Sequence, residues 1–222
     1  FNLLQLAKKS KVQNFLYASS GSVYGVKKER FVHEGLNLDP ISLYNKTKMC
    51  SERVVLSFKE DLNVKIIRPA TVCGYSPRMR FDVSVNALTS SAFLNKKITV
   101  QGGDQIRPNI HIDDLTDLYL YFLEKKTKGI IFNAGFENLT IKKIAKTVQK
   151  HVDSDIIFQK NVTDPRSYRL DSSKLLKTGF KPKKKVEDAI QELHEMFLNK
   201  KIKNNPSFYS IKWLKNNELF KK

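Results

Sequence analysis

Apolar residues recur along this chain with two alternating rhythms. Residues 1–10, Phe1-Asn2-Leu3-Leu4-Gln5-Leu6-Ala7-Lys8-Lys9-Ser10, carry them at helical spacing. Residues 12–19 then bring Val12, Phe15, Leu16 and Tyr17 close together, which predicts a buried strand. That run breaks into small residues at Ser19-Ser20-Gly21-Ser22-Val23-Tyr24-Gly25. A long loop follows to Pro40, and loops of this kind often carry function. Pro40 and Ser42 open a second helix, with Val54, Val55 and Phe58 as its apolar positions. Val64-Lys65-Ile66-Ile67-Arg68 reads as a second strand, closed by Pro69. Strand, long helix, strand is the rhythm of a parallel α/β sheet.

After Gly74 the pattern shortens. A basic segment, Ser76-Pro77-Arg78-Met79-Arg80, leads into a helix through Val85, Leu88 and Phe93. Ile98-Thr99-Val100 predicts a short strand, and His111-Ile112-Asp113-Asp114 opens an apolar helix to about Glu124. Strands are expected at 130–133 and around Ile156-Ile157-Phe158, with an amphipathic helix between them at 140–152. Two short helices are expected near 172–178 and 186–199. The tail beyond residue 200 is rich in lysine, with Phe208, Tyr209 and Trp213 as an aromatic cluster that docks on the fold.

Composition narrows the class. The chain has 222 residues, 41% of them hydrophobic, enough to fold around a sizeable core. No apolar run approaches the ~20 residues a membrane helix needs. Cys50 and Cys73 sit among apolar residues with no pairing pattern, so both are expected to be buried, reduced thiols of a cytoplasmic protein. His33, His111, His151 and His194 are scattered, so no metal site is expected. The net charge of +18 changes the picture less than its size suggests. Its lysines are spread along the whole chain without an RNA-binding signature, so no specific nucleic-acid partner is expected. Such a charge does attract phosphorylated small substrates.

The candidate chemistry lies in Tyr44-Asn45-Lys46-Thr47-Lys48. Residues at i and i+4 share a helix face, so Tyr44 and Lys48 act together. An ammonium beside a phenol favours the phenolate. Lowering a tyrosine pKa from ~10 to ~7 takes roughly 4 kcal/mol of preferential stabilisation. A hydroxyl such as that of Ser20 would hold a substrate oxygen against this phenol. The combination points to proton transfer at an alcohol or carbonyl, and so to redox chemistry at a carbinol carbon.

An ordered set of motifs surrounds that pair: Ser19-Ser20-Gly21-Ser22-Val23-Tyr24-Gly25, then Glu34, Pro40, Ser42, Tyr44 and Lys48. Arg68-Pro69-Ala70-Thr71-Val72-Cys73-Gly74, Arg107-Pro108-Asn109-Ile110-His111-Ile112-Asp113-Asp114 and Asp164-Pro165-Arg166-Ser167-Tyr168-Arg169-Leu170-Asp171 complete it. The set resembles the extended short-chain dehydrogenase/reductase family, in its branch of NAD-dependent nucleotide-sugar epimerases and dehydratases, over residues 1 to about 198. The resemblance implies an α/β fold: the second half of a Rossmann-like parallel sheet with a smaller substrate-binding lobe. Residues 1–75 would belong to the cofactor domain and 76–200 mainly to the lobe. Residues 106–135 would return to the sheet, and 201–222 would form the tail.

The resemblance also implies roles. NAD would oxidise the C4 hydroxyl of a nucleotide diphosphate sugar. Tyr44 would take the hydroxyl proton, Lys48 would bind the nicotinamide ribose, and Ser20 would hold the reacting oxygen. Ser19, Pro69 and Val72 would lie against the cofactor, and Ser22 and Thr71 against the sugar. Arg107 would pair with the diphosphate, for which a guanidinium fork is suited. Asp164 and Arg166 would hold the nucleotide. A homodimer is implied for the complete enzyme.

Two departures bear on function. Dehydratases of this branch carry an acid pair after the reactive serine or threonine, where this chain has Gly21-Ser22. That favours 4-epimerisation, with simple dehydrogenase or reductase chemistry as the alternative. The branch also begins with a glycine-rich turn for the cofactor pyrophosphate, and none occurs here. The expectation is that roughly the first half of the cofactor domain, ~100 residues, lies outside this chain. Residues 1–222 alone would then be inactive, or would act as a non-catalytic sugar-nucleotide-binding fragment.

Overall fold

The computed structural model describes residues 1–159, 167–203, 205–210 and 213–214. Its elements are α1 (Asn2–Lys9), β1 (Asn14–Ala18), a 3₁₀ turn (Gly21–Tyr24), α2 (Leu43–Leu56), β2 (Asn63–Pro69) and β3 (Thr71–Cys73). There follow α3 (Ser84–Asn95), β4 (Lys97–Gln101), β5 (Ile106–His111), α4 (Ile112–Glu124), β6 (Ile131–Ala134) and β7 (Glu137–Thr140). The last are α5 (Ile141–His151), β8 (Asp155–Gln159), α6 (Ser173–Leu176), α7 (Val186–Leu198) and a 3₁₀ turn (Pro206–Phe208).

Local chemistry sets the helix ends. Ser42 caps α2 by accepting the Asn45 N–H at 3.2 Å. Thr140 caps α5 in the same way, accepting the Lys143 N–H at 3.1 Å. At the start of α4, His111 Nδ1 accepts the Asp113 N–H at 3.1 Å. Asp113 and Asp114 there meet the positive end of the helix dipole.

Among the described residues the strands make three sheets. β1, β2 and β6 are parallel, in that order, with Tyr17 opposite Ile66 and Ile67 opposite Phe132. β3, β5 and β7 form a second sheet, with β3/β5 parallel and β5/β7 antiparallel. β4 and β8 pair in parallel as a third sheet. Central β2 is buried from Val64 to Arg68, as a parallel strand covered on both faces must be. Lys65 tolerates that position because its ammonium reaches out to the carbonyls of Thr127 and Gly129, at 2.7 and 2.6 Å.

One core, with Val23, Ile67, Leu118, Phe122 and Phe132, lies between the first sheet and α4. A second, with Leu4, Val55, Phe58 and Ile66, joins α1 and α2 to β2. A third core packs Val85, Ile98, Ile144, Val148 and Ile190. The tail closes on it: Phe208 meets Phe81 edge-on, with centroids 5.2 Å apart.

The apolar rhythm and the structure differ in particular places. The expected strand at 12–19 is β1, shorter and only half-buried, and Val12 is exposed. Among the described residues β1 pairs only with β2, so one edge of it has no strand neighbour. β3, β5 and β7 were not anticipated. β6 lies beside β2, whereas β5 belongs to the second sheet. Ile157 and Phe158 of β8 are more exposed than a core strand would leave them.

Cys73 is buried as expected, but Cys50 is exposed, because it sits on the outer face of α2. Burial pushes the Cys73 thiol up to about 12, and the nearby carboxylates of Glu137, Glu192 and Asp114 add to the effect. At neutral pH it is therefore almost wholly protonated, and the thiolate is the reactive form. Native protein treated with iodoacetamide should carry one label, on Cys50, and gain the second only on denaturation. Peptide mass spectrometry reads this directly, and rapid native labelling of Cys73 would contradict the packing around it.

Candidate active site

The site forms where β1 and β2 end, the edge at which open parallel sheets bind ligands. Beyond β1 the backbone of Ser20 stays extended and its side chain caps the 3₁₀ turn, accepting the Ser22 N–H at 3.2 Å. The turn ends at Gly25, with φ +71°; a Cβ there would lie 1.9 Å from the Asp39 carbonyl oxygen, so glycine is required.

Tyr44 and Lys48 project from the first turns of α2. Lys48 Nζ donates to the Ala18 carbonyl at 2.7 Å, which ties the helix to the end of β1. The same ammonium lies 5.7 Å from the Tyr44 ring centroid and 5.2 Å from that of Tyr17. Burial lowers its pKa from the ordinary lysine value. Tyr44 is 55% exposed, open to a ligand. Ser20 Oγ is 2.8 Å from Ser22 Oγ, and the Ser22 hydroxyl donates to Asn45 Oδ1 at 2.8 Å. The Ser22–Asn45 bond therefore ties the serine turn to the tyrosine helix, as the Lys48–Ala18 bond ties that helix to β1.

Beneath them lies a buried polar chain. Ser19 is turned into the fold, and its hydroxyl donates to Glu52 Oε1. Arg68 grips the same carboxylate with Nε at 2.9 Å and Nη2 at 2.6 Å. Its Nη1 donates to the Tyr24 hydroxyl at 2.7 Å, which donates in turn to Asn133 Oδ1 at 2.8 Å. Burial works against the Arg68 charge, but the bonds to Glu52 and Tyr24 outweigh it and hold its pKa above the ordinary value. Tyr24 is fully buried, so it packs beneath the site and is closed to a ligand. Burial raises its pKa, and Arg68 offsets only part of that rise.

The remaining predicted positions are spread around this centre. Pro69 ends β2, and Thr71 and Val72 lie half-buried in β3. Thr71 is registered opposite Asn109 of β5, two residues from Arg107. Arg107 is half-buried, and its Nη1 donates to its neighbour's carbonyl, Ile106 O, at 3.1 Å. Ser167 accepts the Ile106 N–H at 3.0 Å, which brings the start of the 167–171 segment to the same strand. Asp164 and Arg166 lie outside the described residues. The Tyr168 hydroxyl approaches Gly21, 3.5 Å from where a Cβ would stand. Glu52, Asn45 and Tyr17 escaped the sequence reading. Glu52 had a usable signal, a carboxylate on the same face as Tyr44 and Lys48 at i+8 and i+4.

The chain matches the NAD dependent epimerase/dehydratase family over residues 1–135, more than half of its length. It belongs to that family. A UDP-glucose 4-epimerase of Lactobacillus helveticus is 28% identical over 219 residues, covering 85% of this chain and 65% of the relative. A human dTDP-D-glucose 4,6-dehydratase is 24% identical over 207 residues, 88% of this chain and 59% of its own. Among solved structures, a UDP-glucuronic acid 4-epimerase from Bacillus cereus, in complex with UDP-glucuronic acid and NAD, superposes with a TM-score of 0.76. It is 28% identical, and the match covers 89% of this chain and 65% of that one. The chain thus spans less than two thirds of the length of curated relatives it matches, 35%, 64% and 59% in three of them. No helix among the described residues is long and apolar enough to cross a membrane.

The Glu52–Arg68 pair makes a stability prediction. Two desolvated charges are tolerable only while paired, and removing one partner typically costs about 3–5 kcal/mol. Arg68→Met should therefore lower stability by about that much, measured by urea titration. The double change Glu52→Leu with Arg68→Met should recover a large part of the loss, because no orphaned charge remains. A single Arg68→Met variant as stable as the parent would mean that this pair does not hold the site together.

Proposed function

We propose that the chain carries the catalytic and sugar-binding portion of an NAD-dependent nucleotide-sugar 4-epimerase. The observation that carries the reading is the convergence of Ser20, Tyr44 and Lys48 from two elements, fastened by the Lys48–Ala18 and Ser22–Asn45 hydrogen bonds. The residues present fit a dinucleotide. Among the described residues the Lys48 ammonium has one hydrogen-bonded acceptor, and an ammonium has three donors, so two remain for a ribose diol. Pro69 and Val72 would form the wall beside it. Ser19 would meet it through the backbone, since its hydroxyl is committed to Glu52.

When bound, NAD supplies reversible hydride acceptance. The protein's part is to place and deprotonate the alcohol. Ser20 holds the C4 oxygen, and the phenol oxygen of Tyr44 takes its proton and later returns it. The nearby Lys48 charge stabilises the phenolate. Arg107, with Asp164 and Arg166, would hold the diphosphate and nucleotide. Thr71, on the strand beside Arg107, would face the sugar. Homodimerisation of the complete enzyme is part of the same reading.

Epimerisation is favoured over dehydration by the serine turn. Gly21 has no side chain, Ser22 is hydrogen-bonded to Ser20 and Asn45, and the carboxylate nearest along this framework, Glu52, is sealed by Arg68. Among the described residues, the serine turn and this framework offer no acid pair to expel water. The alternative, a 4-dehydrogenase or reductase, uses the same three residues and differs in whether the sugar turns over before hydride returns.

In the complete enzyme, Tyr44→Phe should lower turnover by ~10²–10⁴-fold, the usual scale for a positioned acid/base group. The product from UDP-glucose or UDP-glucuronic acid should keep the substrate's mass and change only its C4 configuration, read by mass spectrometry and proton NMR. Loss of one water would refute the epimerase reading, and undiminished turnover in the Tyr44→Phe variant would remove Tyr44 from the chemistry.

A further inference from the structure

Tyr17 lies against Lys48, and nothing in the reading above gives it a task. We propose that Tyr17 is a positioning residue: its ring is the floor on which the Lys48 ammonium rests, and it fixes that charge beside Tyr44. The consequence for turnover rests on the nucleotide-sugar reading of the site. The positioning itself rests on the geometry of this chain alone.

A lysine carries its ammonium on a flexible four-carbon stem, and at a protein surface that charge is hydrated and mobile. Two consecutive residues of β1 restrain this one. The Ala18 carbonyl accepts one of its protons at 2.7 Å. The Tyr17 ring centroid is 5.2 Å from Nζ, inside the ~6 Å within which the face of a ring attracts a cation. Burial removes part of the water around Nζ, and the ring stands in for it. The carbonyl fixes a direction and the ring fixes a surface. Between them they hold Nζ at the end of β1, with the Tyr44 ring centroid 5.7 Å away.

Tyr17 is itself held in place. Its backbone is registered opposite Ile66 of β2, and its side chain packs against the core that contains Leu4, Val55 and Ile66. Its phenol end reaches Ser51, one turn beyond Lys48 on α2. Tyr44, Lys48 and Ser51 share one face of that helix, so the ring lies along the face that carries the candidate chemistry. Burial raises the Tyr17 pKa, with the Glu52 carboxylate adding to the rise and Ser51 offsetting part of it. Tyr17 therefore stays a neutral phenol and leaves the proton acceptor's part to Tyr44.

The same device recurs away from the site. Lys65 and Lys174 lie 5.9 and 5.0 Å from the Phe132 ring centroid, and each also donates to backbone carbonyls. Those two lysines fasten a loop and a strand. At Lys48 the same pairing of ring and carbonyl holds a cation where a charge would act on a phenol.

Side-chain relaxation of residues 1–222, labelled with carbon-13 at the lysine Cε, reads the positioning without cofactor or substrate. The Lys48 signal is identified by its loss in Lys48→Met. In the parent it should be among the most restricted lysine signals. Tyr17→Leu should make it as mobile as the surface lysines, and Tyr17→Phe should leave it restricted. Tyr17→Met keeps side-chain bulk without a ring and serves in place of Tyr17→Leu if that variant does not fold. A Lys48 signal that is mobile in the parent, or equally restricted with and without the ring, overturns the inference. In the complete enzyme, Tyr17→Leu should lower turnover of UDP-glucose or UDP-glucuronic acid by roughly two- to thirtyfold, the scale of a cation–ring contact, and Tyr17→Phe should restore it. In a Lys48→Met background the same Tyr17→Leu change should cost nothing further, because the floor then has no charge to hold. An equal cost in both backgrounds would make Tyr17 a packing residue only and overturn the inference. If the parent enzyme converts neither sugar, the nucleotide-sugar reading fails, and the relaxation measurement still decides whether Tyr17 holds Lys48.

Discussion

The buried pairing of Glu52 with Arg68 is the interaction on which the rest of the site depends. Neither charge survives in that interior alone. Together they recruit a partner from almost every element near the site: Ser19 beyond β1, Tyr24 at the end of the 3₁₀ turn and, through Tyr24, Asn133 of β6. Asn133 passes the constraint on. Its amide donates to the Val32 and Asp171 carbonyls, both at 3.1 Å, and its backbone N–H to Glu34 at 2.8 Å. The long loop after the serine turn and the segment leading to α6 are thereby fastened to the same pair. The preorganisation that the proposed chemistry would require comes from this layer, one step removed from the residues that would touch a substrate.

The elements that were legible in the sequence are those whose stability is local. α2, α4, α5 and α7 bury one stripe each, and the helical spacing of that stripe is visible without knowing its partner. β2 was legible because a strand covered on both faces is continuously apolar, and its two exceptions explain themselves through Lys65 reaching loop carbonyls and Arg68 meeting Glu52. β3, β5 and β7 were not. β3 has three residues, β7 reads Glu-Asn-Leu-Thr, and β5 contains Arg107, Pro108 and Asn109. These strands exist because their partners do. Pro108 lacks a donor and a strand interior usually excludes it, yet the β5/β7 register sets it opposite Asn138. Cys50 illustrates the same limit: apolar neighbours in sequence do not decide which face of a helix points outward.

The site divides in a similar way. Tyr44 and Lys48 were recognisable because a one-turn helical offset fixes their relation. Ser20 was recognisable because small residues ending a strand mark a turn at the ligand-binding edge. What holds them is contact between elements far apart in sequence. Ser22 with Asn45 and Ser19 with Glu52 each join the turn to α2, and neither pairing has a periodicity to betray it. Arg107 came from motif resemblance alone, and its strand is one that local pattern could not predict.

The distribution of positive charge follows from the same packing. A net charge of +18 invites a search for a polyanion, but several of the cations nearest the framework are committed within it. Lys65 and Lys174 hold the loop and strand around Thr127, Gly129 and Ile131, Lys48 holds Ala18, and Arg68 holds Glu52. Lys183 reaches Asp117 at 2.7 Å on an exposed face, where water and salt leave such a pair little worth. The framework cations differ because burial strips the water that would otherwise compete for them. Lys48 belongs to both groups at once. Its ammonium is partly desolvated by Tyr17 and the end of β1, yet keeps donors uncommitted beside an exposed phenol. A fixed, half-buried charge acts on its neighbour more strongly than a mobile surface lysine would, and that is what distinguishes this lysine from the many others in the chain.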